Sequence, residues 1–186
     1  MELVPVDIEA APAVYLIIGI PGSGKSTVSG ALARRFERGA HIEGDALQDL
    51  IVSGGRPPSP AYDPEAERQI FLRARNAALL ADSLHAAGVT PVIDDVVVRR
   101  VHLGFYRDRI RRGPIHLVVL APGPAVAAAR NRARDKTLTD DWSFLDAAMR
   151  AELTGEGHWV DNGRQTVEET VDEILRRTGQ AGLAAR

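Results

Sequence analysis

The segment Gly19-Ile20-Pro21-Gly22-Ser23-Gly24-Lys25-Ser26-Thr27 constrains this chain more than any other, because it dictates what must lie on both sides of it. An apolar run from Val14 to Ile20 leads straight into the glycines, and a helical pattern through Leu32 and Phe36 follows. Gly19, Gly24, Lys25 and Ser26 satisfy G-x-x-x-x-G-K-[ST] in the strand, turn and helix context that gives the motif its meaning. Glycines let the backbone turn and come close to an anion, so that amide N–H groups and the start of the helix face phosphate oxygens. Lys25 adds a point charge toward the β- and γ-phosphates, and the hydroxyl of Ser26 is a hard ligand suited to Mg²⁺. Gly19, Pro21, Gly22, Ser23, Gly24, Lys25, Ser26 and Thr27 are therefore the expected contacts of a nucleotide, and ATP with Mg²⁺ is the expected pair.

The rest of the chain alternates apolar strand-like runs with helical patterns, which means an α/β fold. The expected strands are Val14 to Ile20, His41 to Glu43, Pro91 to Val98, Ile115 to Ala121 and His158 to Val160. Three of them are nearly unbroken Val, Ile and Leu, as in parallel strands covered by helices on both faces. Between them, Pro64 to Ala87 sets Ile70, Ala74, Ala77, Ala81 and Leu84 on one helical stripe, with Asp63 to cap it, Pro64 at the first position and Gly88 past the end. Thr166-Val167-Glu168-Glu169 reads as a capping box opening a helix to about Arg177. Gly54 to Tyr62 holds too many breakers for regular structure, and Gly179 to Arg186 is expected to fray. A chain of 186 residues, 45% hydrophobic, suits one domain with a sizeable core.

Composition narrows the partners. The formal net charge is only -2 with Lys and Arg scattered, so nothing calls for a nucleic acid or a membrane surface. No Cys is present, which excludes disulfides and thiolate chemistry, and the five His lack the i, i+4 spacing of a helix-borne metal site. The first residues carry no basic leader, and the apolar run ending at Ile20 is far below the ~20 residues that span a bilayer. A soluble, cytoplasmic protein is expected.

Three further groups point at the same crevice. Val92-Ile93-Asp94-Asp95 runs an apolar strand into two carboxylates at its C-terminal end, where ligands bind in open α/β sheets. Alternation sends the neighbours to opposite faces, so one faces the Mg²⁺ shell. Asp94 is assigned there and Asp95 to the substrate side, although spacing alone does not choose between them. Asp45 ends the strand after the P-loop helix, where a carboxylate can position an acceptor hydroxyl and take its proton. An N-cap is its competing role. Glu43 lies two residues earlier on the same strand and is a second candidate contact. Arg130 and Arg134 share a face of a helix that begins near Pro124, as lid arginines closing over ATP would, in a lid of about residues 130 to 142. Arg99 and Arg100 follow the third strand and could hold an anionic acceptor.

With GIPGSGKST, HIEGDAL, VIDDVVV and RNRARDK in this order, the chain resembles small P-loop kinases. In particular it resembles chloramphenicol phosphotransferase-like proteins, and it is similar to gluconate kinases in the Gly44-Asp45 step. The resemblance implies a three-layer P-loop fold, with a five-stranded parallel sheet in the order 2-3-1-4-5 and a short helical lid. It implies nucleotide roles for Lys25 and Ser26, an acceptor-hydroxyl base in Asp45 and lid roles for Arg130 and Arg134. The function expected is transfer of the γ-phosphoryl group of ATP to a hydroxyl of a small molecule, such as an antibiotic or a sugar-like metabolite. A nucleotide or polynucleotide 5′-OH kinase, drawing a basic groove from Arg56, Arg73, Arg75, Arg99 and Arg100, and a non-catalytic ATP-binding switch are the competing readings.

Overall fold

The computed structural model of the protein describes residues 13–56, 62–133 and 144–179. At its centre lies β1 (Val14–Gly19), every residue of which is buried. On one side β1 pairs in parallel with β3 (Thr90–Asp95), which in turn pairs with β2 (Gly39–Glu43). On the other it pairs with β4 (Ile115–Leu120), which carries β5 (His158–Val160) at the edge. The order is β2-β3-β1-β4-β5 and every pairing is parallel. This is the P-loop fold anticipated from the sequence.

The unbroken apolar strands are explained by two cores, one on each face. Leu16, Ile18, Ile93 and Val119 pack with Ala74, Ala77 and Ala81 of α3 (Pro64–Ala86), with Leu103 and Tyr106 of α4 (Arg100–Arg109), and with Met149 and Leu153 of α6 (Phe144–Leu153). Their neighbours Tyr15, Ile17, Val92, Val118 and Leu120 point the other way, onto Val28 and Leu32 of α1 (Lys25–Ala33) and onto Val171, Ile174 and Leu175 of α7 (Val167–Arg177). With both faces covered, a strand has no polar side to show.

Helix starts follow the capping chemistry read from the sequence. Asp63 accepts from the amides of Glu65 and Ala66 at 2.8 and 3.3 Å, with Pro64 at the first helical position of α3. Thr166 and Glu169 form a reciprocal capping box at α7. Glu43 stands at the N-cap position of the short α2 (Gly44–Asp49) without a side-chain cap hydrogen bond, which places Asp45 in the first turn rather than at the cap. β3 stops at Asp95 rather than running to Val98, because its partners β1 and β2 stop there and Asp95 Oδ1 accepts from the amide of Val96 at 2.7 Å. Helix α5 (Pro124–Arg132) begins at Pro124 as expected. Most of the expected lid, Arg134 included, lies outside the described residues, as do residues 57–61 of the Gly54 to Tyr62 loop and the tail beyond Gly179. No helix among the described residues is long and apolar enough to cross a membrane.

Candidate active site

Sheet order decides where the site lies. β1 runs between β3 and β4, so the connections from its C-terminal end and theirs part in opposite directions and open a crevice above it. The P-loop fills the β1 end of that crevice. Gly22 and Gly24 both take positive φ, at 82° and 95°. A Cβ on Gly22 would also lie 2.1 Å from the carbonyl oxygen of Ala127, so the loop packs against α5 with no room for a side chain. Gly24 precedes α1 without a side-chain cap, which leaves the first amides of α1 to an anion. The Lys25 ammonium lies back over the loop, donating to Ile20 O at 3.2 Å.

The paired carboxylates separate as alternation requires. Asp94 faces α1, where the Ser26 hydroxyl donates to its Oδ1 at 3.4 Å and His41 Nε2 meets its Oδ2. Glu43 stands directly across the ladder from Asp94 and is exposed. A hydroxyl beside a carboxylate is an oxygen donor set of the kind Mg²⁺ takes together with its waters, so these residues fit the ion that accompanies a nucleotide.

Asp95 turns to the opposite face and is buried. Its carboxylate receives Arg73 Nη2 at 2.7 Å and the Tyr106 hydroxyl at 2.8 Å. Burial pushes the Asp95 carboxyl above the usual range, while Arg73, the Tyr106 hydroxyl and the Val96 amide pull it back. Tyr106 is held well above its ordinary value, chiefly by burial and then by the charge of Asp95. Arg73 also brings Nη1 to 3.8 Å from Asp45 Oδ1. The Asp45 side chain is 75% exposed, so a buried arginine joins a buried acid to the open one at the mouth of the crevice.

Arg130 is on the last turn of α5, where Nη2 donates to Asn162 O at 2.9 Å and to Gly163 O at 3.5 Å. Asn162 in turn donates from Nδ2 to Ser23 O at 2.9 Å, tying the segment after β5 to the P-loop. Arg130, Asn162, Gln165 and Val167 on one side and Gly22, Gly24, Thr27 and Val28 on the other enclose a cleft of about 270 Å³. Arg99 and Arg100 are engaged elsewhere. Arg99 pairs with Glu67 of α3 at 3.1 Å, and Arg100 pairs with Glu156 at 2.8 Å while its amide donates to Glu152.

Asn162, His41 and the Arg73 to Asp95 pair are what sequence reasoning missed. Asn162 had a legible signal, since it follows the strand His158 to Val160 and strand ends face the crevice. His41 and Arg73 had none, because their partners come from other elements.

Comparison with known proteins agrees with this fold. The structure is similar to that of a sugar kinase from Janibacter sp. HTCC2649, at 21% identity and TM-score 0.65, over 94% of this chain and 99% of that one. It is similar to a gluconokinase from Sinorhizobium meliloti 1021, at 22% identity and TM-score 0.60, over 92% and 94%. It is also similar to the Deinococcus radiodurans tunicamycin resistance protein, at 18% identity and TM-score 0.66, over 90% and 95%. At these identities the likeness is one of fold. No curated protein matches the chain. A family model described as an AAA domain matches residues 14–155, a span holding the P-loop, Asp45 and the Asp94-Asp95 strand end, and the chain thus belongs to the AAA_33 family, with the fold of the P-loop kinases.

Proposed function

We propose that this chain is an ATP-dependent phosphotransferase that moves the γ-phosphoryl group to a hydroxyl of a small molecule. The observation that carries the reading is the pairing of Ser26 of α1 with Asp94 of β3 beside the phosphate loop, together with the exposed Asp45 in the first turn of α2, immediately after β2, which pairs with β3. A switch protein has no use for an exposed acid at that place. The kinase-like fold supports the same class of chemistry.

In this reading the amides of the P-loop and Lys25 hold the phosphates, and the cleft between Val28 and Arg130 takes the base. Ser26 and Asp94 would hold the Mg²⁺ of the nucleotide, partly through water, and the ion would neutralise charge on the phosphate oxygens. Asp45 orients the acceptor hydroxyl and accepts its proton as that oxygen bonds to the γ-phosphorus and the bond from the γ-phosphorus to the β–γ bridging oxygen breaks, ADP leaving with the electron pair. Arg73 restrains Asp45 from behind, and Arg130 and Arg134 serve the donor side. Glu43 borders the acceptor space, while the polynucleotide alternative is weakened because Arg73, Arg99 and Arg100 are already paired with acids. The protein is read as working in the cytoplasm as one domain. Two of the similar structures are named for sugar and gluconate phosphorylation, so polyhydroxylated metabolites head the acceptor panel, with hydroxylated antibiotics beside them.

The test is γ-labelled ATP offered with sugars and sugar acids, antibiotics, nucleosides and 5′-OH oligonucleotides. Label in a low-mass hydroxyl compound is the expected result. Label confined to oligonucleotides, or tight nucleotide binding with no acceptor-dependent turnover, overturns it.

A further inference from the structure

Asp94 is gripped at both oxygens. Ser26 takes Oδ1, and His41 takes Oδ2 from β2, the edge strand beyond β3. The register sets His41 opposite Val92 and Glu43 opposite Asp94, so the imidazole reaches diagonally along the ladder, on the face turned toward α1. The Asp94 side chain is only 5% exposed, and that of His41 24%. Rotation of a carboxylate about its last torsion is soft, so one hydroxyl contact leaves the plane of the group poorly determined. A second donor on the other oxygen removes that freedom. Glu43, the other polar side chain on this stretch of β2, has only acceptors when ionised and cannot play that part.

We infer that His41 is a positioning residue for Asp94, fixing the carboxylate so that Oδ1 stays on the Ser26 side, and thereby setting the affinity for the divalent cation bound with the nucleotide. The inference rests on the proposed Mg²⁺–nucleotide site. His41 acts through Asp94 and touches neither phosphate nor acceptor. Partners that orient metal-ligating carboxylates in this way control metal affinity by roughly 10- to 100-fold.

The experiment compares the full-length protein with His41→Ala and His41→Gln, the latter keeping an N–H donor at similar reach. A fluorescent ATP analogue is titrated in EDTA, and Mn²⁺ is then titrated against the protein–nucleotide complex with free ion counted by electron paramagnetic resonance. In EDTA all three should bind the nucleotide within about twofold, since the phosphate-binding amides are untouched. The Mn²⁺ dissociation constant should rise roughly 10- to 100-fold in His41→Ala and largely return in His41→Gln. A Mn²⁺ titration of His41→Ala that overlays the wild type overturns the inference and leaves the nucleotide site standing. Equal weakening in both variants also overturns it, because the donated hydrogen bond would then not be the cause. Wild-type protein that binds no nucleotide in either buffer brings down the underlying reading instead.

Discussion

At the scale of single residues, the two acids joined by Arg73 differ in what surrounds them. Asp45 is open to solvent with one arginine behind it, whereas Asp95 is enclosed by Arg73 and Tyr106. Replacing Asp45 by Asn keeps the shape and removes the proton acceptor. Transfer should fall by about 10²–10⁴-fold, with nucleotide affinity unchanged by fluorescence titration; transfer at the wild-type rate would remove Asp45 from the mechanism. Lys25→Ala should lower transfer at least as far, by ~10²-fold or more, since a preorganised charge on the phosphates is lost. The place of Asp45 just past a strand end was legible in the sequence. That Asp94 faces Ser26 and Asp95 faces Arg73 was not available from spacing, because alternation says that neighbours diverge without saying which face holds the P-loop helix.

At the scale of elements, caps and buried faces were legible and cross-element partners were not. Helix α3 was readable at both ends because Asp63, Pro64 and Gly88 act locally. Asp63→Ala should cost about 1 kcal/mol, seen as a lower urea midpoint with an unchanged slope. Helix α6 escaped the reading although Leu145, Met149 and Leu153 recur at helical spacing and are buried. At the β4 and β5 edge, burial first and His158 second hold the His116 imidazole below the usual histidine range. The unfolded chain therefore takes up this proton at a higher pH than the folded one. The neutral ring contributes stability that is intact above the unfolded value of about 6.5 and lost as pH falls through the lowered folded value. His116→Gln should flatten the decline in melting temperature between about pH 7.5 and 5.5, and an unaltered decline would assign that acid sensitivity to other groups.

At the scale of the whole molecule, the site is assembled by segments far apart in sequence. Asn162 ties Ser23 of the P-loop to the segment after β5, whose carbonyls also receive Arg130. Asn162→Ala strands a buried carbonyl, a loss of about 1–3 kcal/mol, and should weaken nucleotide binding by roughly tenfold in titration calorimetry; unchanged affinity would make the tie purely architectural. The sequence by itself determined the phosphate loop, the α/β class, the strand ends that carry acids and the capped helices, because each rests on chemistry between near neighbours or on a period of one face. Only the tertiary structure decided that Asp94 is held between Ser26 and His41, that Arg73 joins Asp95 to Asp45, and that Asn162 closes on the P-loop. Those pairings depend on strand order and register, which local chemistry leaves open until the sheet is built.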